Sequence, residues 1–127
     1  MDTAITREVE VSVESFFLES ESDPEQNRFS FAYRVQLKNL GEETVQLISR
    51  HWIITDSVGK IQHVKGPGVV GEQPVLKPGA SYEYTSGSRL ESPMGTMEGT
   101  YQMVTDEGEN FDIRIPMFTL SVPGTLN

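Results

Sequence analysis

Hydrophobic residues alternate with polar ones along most of the chain, with the period of two that is typical of a half-buried β-strand. The pattern begins at Val9, Val11 and Val13, each of which has polar neighbours. It is most regular over residues 28–38, where one face is formed by Phe29, Phe31, Tyr33, Val35 and Leu37. No segment has the 3.6-residue period of an amphipathic helix. The sequence therefore predicts an all-β protein.

The same criterion predicts seven strands. After the first two, strands are expected over residues 45–56, 60–65, 81–86, 97–103 and from 111 onwards. The segment 45–56 is apolar on both faces, as in a central strand. The alternation breaks at residues 16–18, which predicts a bulge or a change of sheet. Pro116 lacks a backbone N–H, so the last strand is expected to bend there or to lie at an edge.

Seven strands joined by polar turns predict an immunoglobulin-like or fibronectin type III-like sandwich. Residues 76–82 resemble the approach to the tyrosine corner of fibronectin type III domains, and residues 99–103 resemble the Gly-x-Tyr-x-Cys strand of immunoglobulin domains. Trp52 fits the buried tryptophan of such sandwiches. The chain of 127 residues suits one domain. We expect that domain to span residues 1–127, with its core over about 8–122.

Composition excludes several classes of function. The chain has no cysteine, which excludes disulfides, thiolate metal sites and thiol catalysis. Its net charge is −9 and its ten basic residues are dispersed, which argues against binding to nucleic acid or to anionic membranes. It lacks the run of about 18 apolar residues of a membrane span and the pattern of a secretory signal. A cytoplasmic location is expected.

A set of unusual segments runs through the chain: 49–52 (Ser-Arg-His-Trp), 54–56 (Ile-Thr-Asp), 66–74 (Gly-Pro-Gly-Val-Val-Gly-Glu-Gln-Pro), 76–79, 84–87, 93–101 and 115–118. Together they closely resemble the ApaG family, from about residue 9 to about residue 120. His63 departs from the pattern, since an acidic residue is expected there. The resemblance implies a small bacterial cytoplasmic protein with a fibronectin-type sandwich and a genetic link to cobalt and magnesium resistance. Similar domains in F-box proteins and in a polymerase-delta-interacting protein look like protein-binding modules.

Gly66, Gly68 and Gly71 match the pattern Gly-x-Gly-x-x-Gly. In dinucleotide sites these glycines let pyrophosphate approach the amides at a helix N-terminus. Here no helix follows, and Glu72 would repel phosphate. A nest of loop amides assisted by Lys65 could still hold pyrophosphate or a nucleotide weakly. The competing interpretation is that the glycines only shape the loop through positive φ angles.

The histidine, acidic and serine residues give weaker indications of a metal-binding or catalytic site. His51 and His63 are candidate metal ligands, but no third ligand lies at a typical spacing, so no metal site is predicted. The acidic segments 19–25 and 106–110 lack the register of an EF-hand, and a loosely bound divalent ion there is a third hypothesis. No serine lies in a nucleophile elbow. We predict neither an enzyme nor a bound cofactor.

Two Gly- and Pro-rich segments, 66–79 and 87–95, are expected to form long loops. Long loops on a rigid sandwich are common binding surfaces. The apolar residues that they would present to a partner are Val69, Val70, Leu90 and Met94. The alternative is that these side chains fold inward and cap the core. The leading hypothesis is a non-enzymatic module that binds an unidentified protein partner, and pyrophosphate or nucleotide binding is the alternative.

Overall fold

Two antiparallel sheets pack face to face in the computed structural model, which describes residues 1–124. The first sheet, in the order β1-β2-β3-β7, contains β1 (Asp2–Thr6), β2 (Val9–Phe17), β3 (Phe29–Asn39) and β7 (Ser81–Leu90). The second, in the order β5-β4-β8-β9 with β6 also on β4, contains β4 (Val45–Asp56), β5 (Ile61–Pro67), β6 (Val75–Leu76), β8 (Met94–Thr105) and β9 (Asn110–Ser121). The predicted all-β sandwich is confirmed, with nine strands rather than seven in the described residues; positions 125–127 of the predicted domain lie outside them.

The two additional strands are short or polar. β1 is largely exposed and pairs with β2, from Asp2 opposite Val13 to Thr6 opposite Val9. β6 has only two residues and pairs with the start of β4. Neither segment is long and alternating enough to produce a strand pattern in the sequence. The connection between β2 and β3 contains two 3₁₀ turns, Glu19–Glu21 and Pro24–Gln26.

The core lies between the sheets and uses the predicted alternation. The buried face of β3 is the one expected from the sequence, Phe29, Phe31, Tyr33, Val35 and Leu37. On the opposing sheet Trp52 is 2% exposed, which confirms β4 as a central strand. Its ring centroid lies 5.2 Å from that of Tyr33 and 5.9 Å from that of Phe118, so aromatic contacts join the two sheets.

The expected irregularity at residues 16–18 is wrong, because β2 pairs with β3 without a register shift as far as Phe17 opposite Phe31. The sequence pattern breaks there because Phe16 is apolar but exposed. The Arg34 guanidinium lies 5.5 Å from the centre of its ring and partly covers it. The break in the alternation of the sequence therefore reflects an exposed apolar residue and not an irregularity of the strand.

The expectation at Pro116 is confirmed. β9 is an outer strand of its sheet, and its register against β8 shifts between Met97 opposite Phe118 and Gly99 opposite Ile115. β9 thus has one residue more than β8 in this interval, which contains Pro116. A bulge accommodates proline because it interrupts the ladder of hydrogen bonds.

The predicted loop over residues 87–95 is mostly strand. β7 continues to Leu90 and β8 begins at Met94, which leaves a turn of three residues. Gly87 lies opposite Ala32 within the β3–β7 pair, so it belongs to a strand and not to a loop. Composition alone misled the interpretation here, because glycine and serine are usually depleted in strands.

Candidate functional site

The glycine-rich connection between β5 and β6 contains a tight hairpin. The Val69 amide donates to the Glu72 carbonyl at 2.8 Å, and the Glu72 amide donates back at 2.9 Å. The two residues between them, Val70 and Gly71, have φ angles of 43° and 82°, as in a type I′ turn. The amide of Gly68 donates to the Ile48 carbonyl on β4 at 2.8 Å. Three loop amides are therefore engaged within the protein.

Gly68 and Gly71 have the positive φ angles expected for glycines that shape a loop, whereas Gly66 does not. Gly66 lies on β5 opposite Arg50, and a Cβ atom added to it would lie 3.0 Å from both terminal guanidinium nitrogens. Its lack of a side chain makes room for this arginine. The Arg50 Nη1 donates to the carbonyls of Pro67 and Gly68 at 3.0 and 2.9 Å. The glycine motif thus has a complete structural explanation, and phosphate binding by it stays a prediction.

Sequence reasoning did not identify Arg50, although one signal was present. It lies two residues before Trp52 on β4 and therefore shares the face of the strand that points to the core. A charged residue in that register needs partners for its guanidinium. It finds two of them in loop carbonyls, so Arg50 anchors the β5–β6 connection to the end of the sandwich.

The predicted partner-binding residues separate into two groups. Val69 is 1% exposed and Leu90 is 3% exposed, so neither is available to a partner on the surface. For these two residues the alternative hypothesis holds, in which the side chains fold inward and cap the core. Met94 is half-buried at the start of β8. Val70 is 56% exposed at the tip of the hairpin. Of these four residues, only Val70 presents a large apolar surface to solvent.

Val70 also has an unusual backbone. A β-branched residue with positive φ is rare, since its side chain crowds the backbone in the left-handed region, and glycine or asparagine normally occupies this position of a type I′ turn. Such strained residues concentrate at functional positions. Val70, at the exposed tip of this hairpin, is therefore a candidate contact residue for a partner.

β5 forms an exposed edge of the second sheet. The Asp56 amide donates to the Lys60 carbonyl, and the Gly68 amide donates to the Ile48 carbonyl. The backbone N–H and C=O groups of Lys60 and Gly68 therefore point towards β4. In an antiparallel pair this orientation alternates. The backbone N–H and C=O groups of Ile61, His63 and Lys65 consequently point away from β4.

The two histidines, 12 residues apart in sequence, are neighbours on the outer face of β4 and β5. His51 lies opposite Lys65, and His63 lies opposite Ile53, which places the rings diagonally across the strand pair. The His51 Nε2 and His63 Nδ1 atoms are 2.9 Å apart. Partial burial, Lys65 and His63 all lower the pKa of His51, in that order of importance. His51 is therefore held towards its neutral form.

Tyrosine hydroxyls form a buried contact between the sheets. The Tyr84 and Tyr101 oxygens are 2.5 Å apart, and both residues lie in the core. Burial raises the pKa of each well above its usual value, because the phenolate would be desolvated. Both hydroxyls therefore stay protonated, and one can donate a hydrogen bond to the other.

This pair leads to a prediction for alkaline pH. Above about pH 10 the unfolded chain loses tyrosine protons that the folded chain retains, so the free energy of unfolding should fall as pH rises. Tyr84→Phe or Tyr101→Phe alone should cost about 1–3 kcal/mol, since each leaves one buried hydroxyl unpaired. The double variant should lose less than the sum and should show a flatter decline. Urea denaturation between pH 8 and 11 measures this, and an equally steep decline in the double variant would contradict it.

Within residues 1–124 no group of three or more histidine and acidic side chains is arranged to hold a metal ion. The same residues contain no helix that is long and apolar enough to cross a bilayer.

Comparison with known proteins identifies the family. A family model described as the ApaG domain matches residues 19–105. The protein ApaG of Paramagnetospirillum magneticum is 55% identical over 123 residues, which cover 97% of this chain and 95% of the relative. That of Mesorhizobium japonicum is 52% identical over 125 residues, 98% of this chain and 96% of the relative. The crystal structure of a putative ApaA protein from Bordetella pertussis is 48% identical, with a TM-score of 0.89 over 92% of this chain and 95% of its own. The chain belongs to the ApaG domain family.

Proposed function

We propose that this protein is a non-enzymatic module that binds a cytoplasmic protein partner by accepting an extended segment of it alongside β5. The supporting observation is the number of exposed apolar side chains in β5 and in the segments that flank it along the chain. Five of the ten exposed large apolar residues in the described chain lie in the 18 residues from 58 to 75, namely Val58, Ile61, Val64, Val70 and Val75. Ile61 and Val64 belong to opposite faces of β5, so a strand added at this edge would meet apolar side chains on both faces.

The backbone of β5 supports the same mode of binding. Ile61, His63 and Lys65 direct their N–H and C=O groups away from β4, so a partner strand can form hydrogen bonds with them. Natural proteins usually protect such an edge with charges, prolines or covering elements. Here the protection is limited to Lys65 and to Pro67 at the end of the strand.

The charge of the edge defines the chemistry of the partner segment. The protein carries a net charge of −9, yet Lys65 is the one fully charged side chain in β5. An extended segment with apolar residues and a carboxylate opposite Lys65 complements this surface. Val70, strained and exposed at the adjacent hairpin tip, supplies a further apolar contact. The link to cobalt and magnesium resistance that the ApaG resemblance implies would act through such a partner.

Substitution at Lys65 tests this mode of binding. Lys65→Pro removes an outward N–H without removing a hydrogen bond to β4, so partner capture from extracts of the native cell should be lost while the unfolding midpoint changes little. Lys65→Ala removes the same charge but keeps the N–H, and it should retain most of the captured protein. Equal capture by both variants and the unaltered chain would refute strand addition at β5.

A further inference from the structure

The first sheet leaves the inner face of β5 uncovered. Val64 lies opposite Trp52, and Gln62 lies opposite Ile54, so both side chains of β5 point to the core side of the second sheet. Trp52 and Ile54 are buried, whereas Gln62 is exposed and Val64 is 38% exposed. The first sheet therefore covers β4 and ends before it reaches β5.

The strand at which the first sheet ends on this side is β7. The Asn39 amide donates to the Ala80 carbonyl, so the backbone at Ala80 faces β3. Because the orientation alternates along an antiparallel pair, five residues of β7 direct their N–H and C=O groups away from β3. They are Ser81, Glu83, Thr85, Gly87 and Arg89. β7 contains no proline, so each of the five has an N–H to donate.

We propose that β7 accepts an extended segment of a partner protein as a fifth strand of the first sheet, which then covers the inner face of β5. An added strand would lie about 4.8 Å from β7 and about 10 Å from the second sheet, the ordinary spacings of a sandwich. Its inward side chains would bury Val64 and Gln62. This site is separate from the edge of β5, since its hydrogen bonds belong to the other sheet.

A cavity of about 100 Å³ lies between β7 and β5, where inward side chains of the added strand would enter. Its lining includes Ile54 and Leu90, which are buried and apolar, and the side chains of Gln62 and Arg89. A cavity of about 150 Å³ holds benzene, so this smaller one suits an aliphatic side chain and not an aromatic ring. The segment therefore carries aliphatic residues at its inward positions.

Two charges on the outer face of β7 define the other face of the segment. Glu83 and Arg89 are exposed, and they lie opposite the uncharged Gln36 and Ser30 of β3. Neither takes part in an ion pair within residues 1–124. An antiparallel segment complements both when a carboxylate lies opposite Arg89 and a basic residue six positions later lies opposite Glu83.

A second copy of this chain carries the same two charges and is the competing occupant. Two copies joined through β7 would each bring a β5 that projects beyond its own β7, and the two strands would compete for the same space. A segment of another protein has no such obstruction. We therefore assign the edge to a partner segment with alternating aliphatic residues, an acidic residue and a later basic one.

A synthetic peptide with blocked ends, Leu-Glu-Val-Thr-Val-Thr-Val-Lys, tests the site. Its glutamate is placed opposite Arg89 and its lysine opposite Glu83. We expect saturable shifts of the Val64 methyl signals, and slower hydrogen exchange of the Thr85 and Gly87 amides. The Ser86 amide, which faces β3, should change much less. A peptide with glutamate and lysine exchanged should bind at least about fivefold more weakly, because two attractive pairs become repulsive.

Substitutions in β7 separate this site from other surfaces. Gly87→Pro removes an outward N–H without removing a hydrogen bond to β3, and it should weaken peptide binding by at least about tenfold. Gly87→Ala keeps the N–H and should bind as the unaltered chain does. The double variant Glu83→Lys, Arg89→Glu changes only exposed side chains, and it should prefer the exchanged peptide.

Three results would overturn the proposal. The first is the absence of saturable binding, or equal binding by folded Gly87→Pro and Gly87→Ala. The second is an unchanged preference in the double variant, which stays decisive even where Gly87→Pro fails to fold. The third is protection confined to the β5 amides, or a dimer in sedimentation experiments that Gly87→Pro abolishes, since the latter would make a second copy the occupant.

Discussion

Replacement of Trp52 by alanine is expected to reduce the free energy of unfolding by about 3–5 kcal/mol. The indole is 2% exposed and contacts the rings of Tyr33, Tyr101 and Phe118, which come from both sheets. Its removal leaves a cavity where the sheets meet, and strands on both sides would have to move together to fill it. Urea denaturation followed by circular dichroism measures the loss.

Phenylalanine at the same position is the matched control. The Trp52 Nε1 atom is buried and has no hydrogen-bond partner within the described residues. Burial of an unpaired donor costs about 1–3 kcal/mol, so Trp52→Phe removes this penalty while it keeps part of the ring volume. We expect it to be clearly less destabilising than Trp52→Ala. Equal losses in the two variants would mean that the indole nitrogen forms a hydrogen bond that stabilises the core.

Gly68→Ala should have the second-largest effect. Gly68 has a φ of 60°, which costs a residue with a Cβ atom about 1–2 kcal/mol. The new Cβ would also lie 2.2 Å from the carbonyl oxygen of Glu72, so the hairpin must open, at a cost of about 1–3 kcal/mol more. The loop would then lose its fit to Arg50. Denaturant titration gives the stability change, and chemical shifts of the loop amides report the rearrangement.

Gly71→Ala is the appropriate comparison. Gly71 lies in the same hairpin and has a φ of 82°, but a Cβ atom there meets no other atom within 4 Å. Only the backbone penalty of about 1–2 kcal/mol applies. If the two variants lose the same stability, the close approach of Gly68 to Glu72 contributes nothing, and the proposed role of this glycine in shaping the loop is wrong.

Periodicity predicted the sandwich well where buried and exposed positions alternate over many residues. β3 is the best example, because each of its five predicted core residues is buried. The method failed where length or composition hid the pattern. β6 has two residues, and the end of β7 contains glycine and serine, which are usually depleted in strands.

The candidate site was less predictable, since it depends on contacts between segments distant in sequence. The glycine motif suggested phosphate, but Gly66 makes room for Arg50, a contact that requires the register of β4 against β5. Whether Val69 and Leu90 lie in the core or on the surface could not be decided from the sequence of their segments alone. His51 and His63 have no recognised spacing in sequence, and only strand pairing brings their nitrogens together.

Hydrogen exchange of the β5 amides in the complex with a captured partner is the most direct test of the proposed function. Strand addition predicts that the outward amides of Ile61, His63 and Lys65 exchange rapidly in the free protein and become protected in the complex. The amides of Gln62 and Val64, which face β4, should change much less. A complex in which these three outward amides still exchange as fast as in the free protein, with protection elsewhere on the surface, would contradict the account.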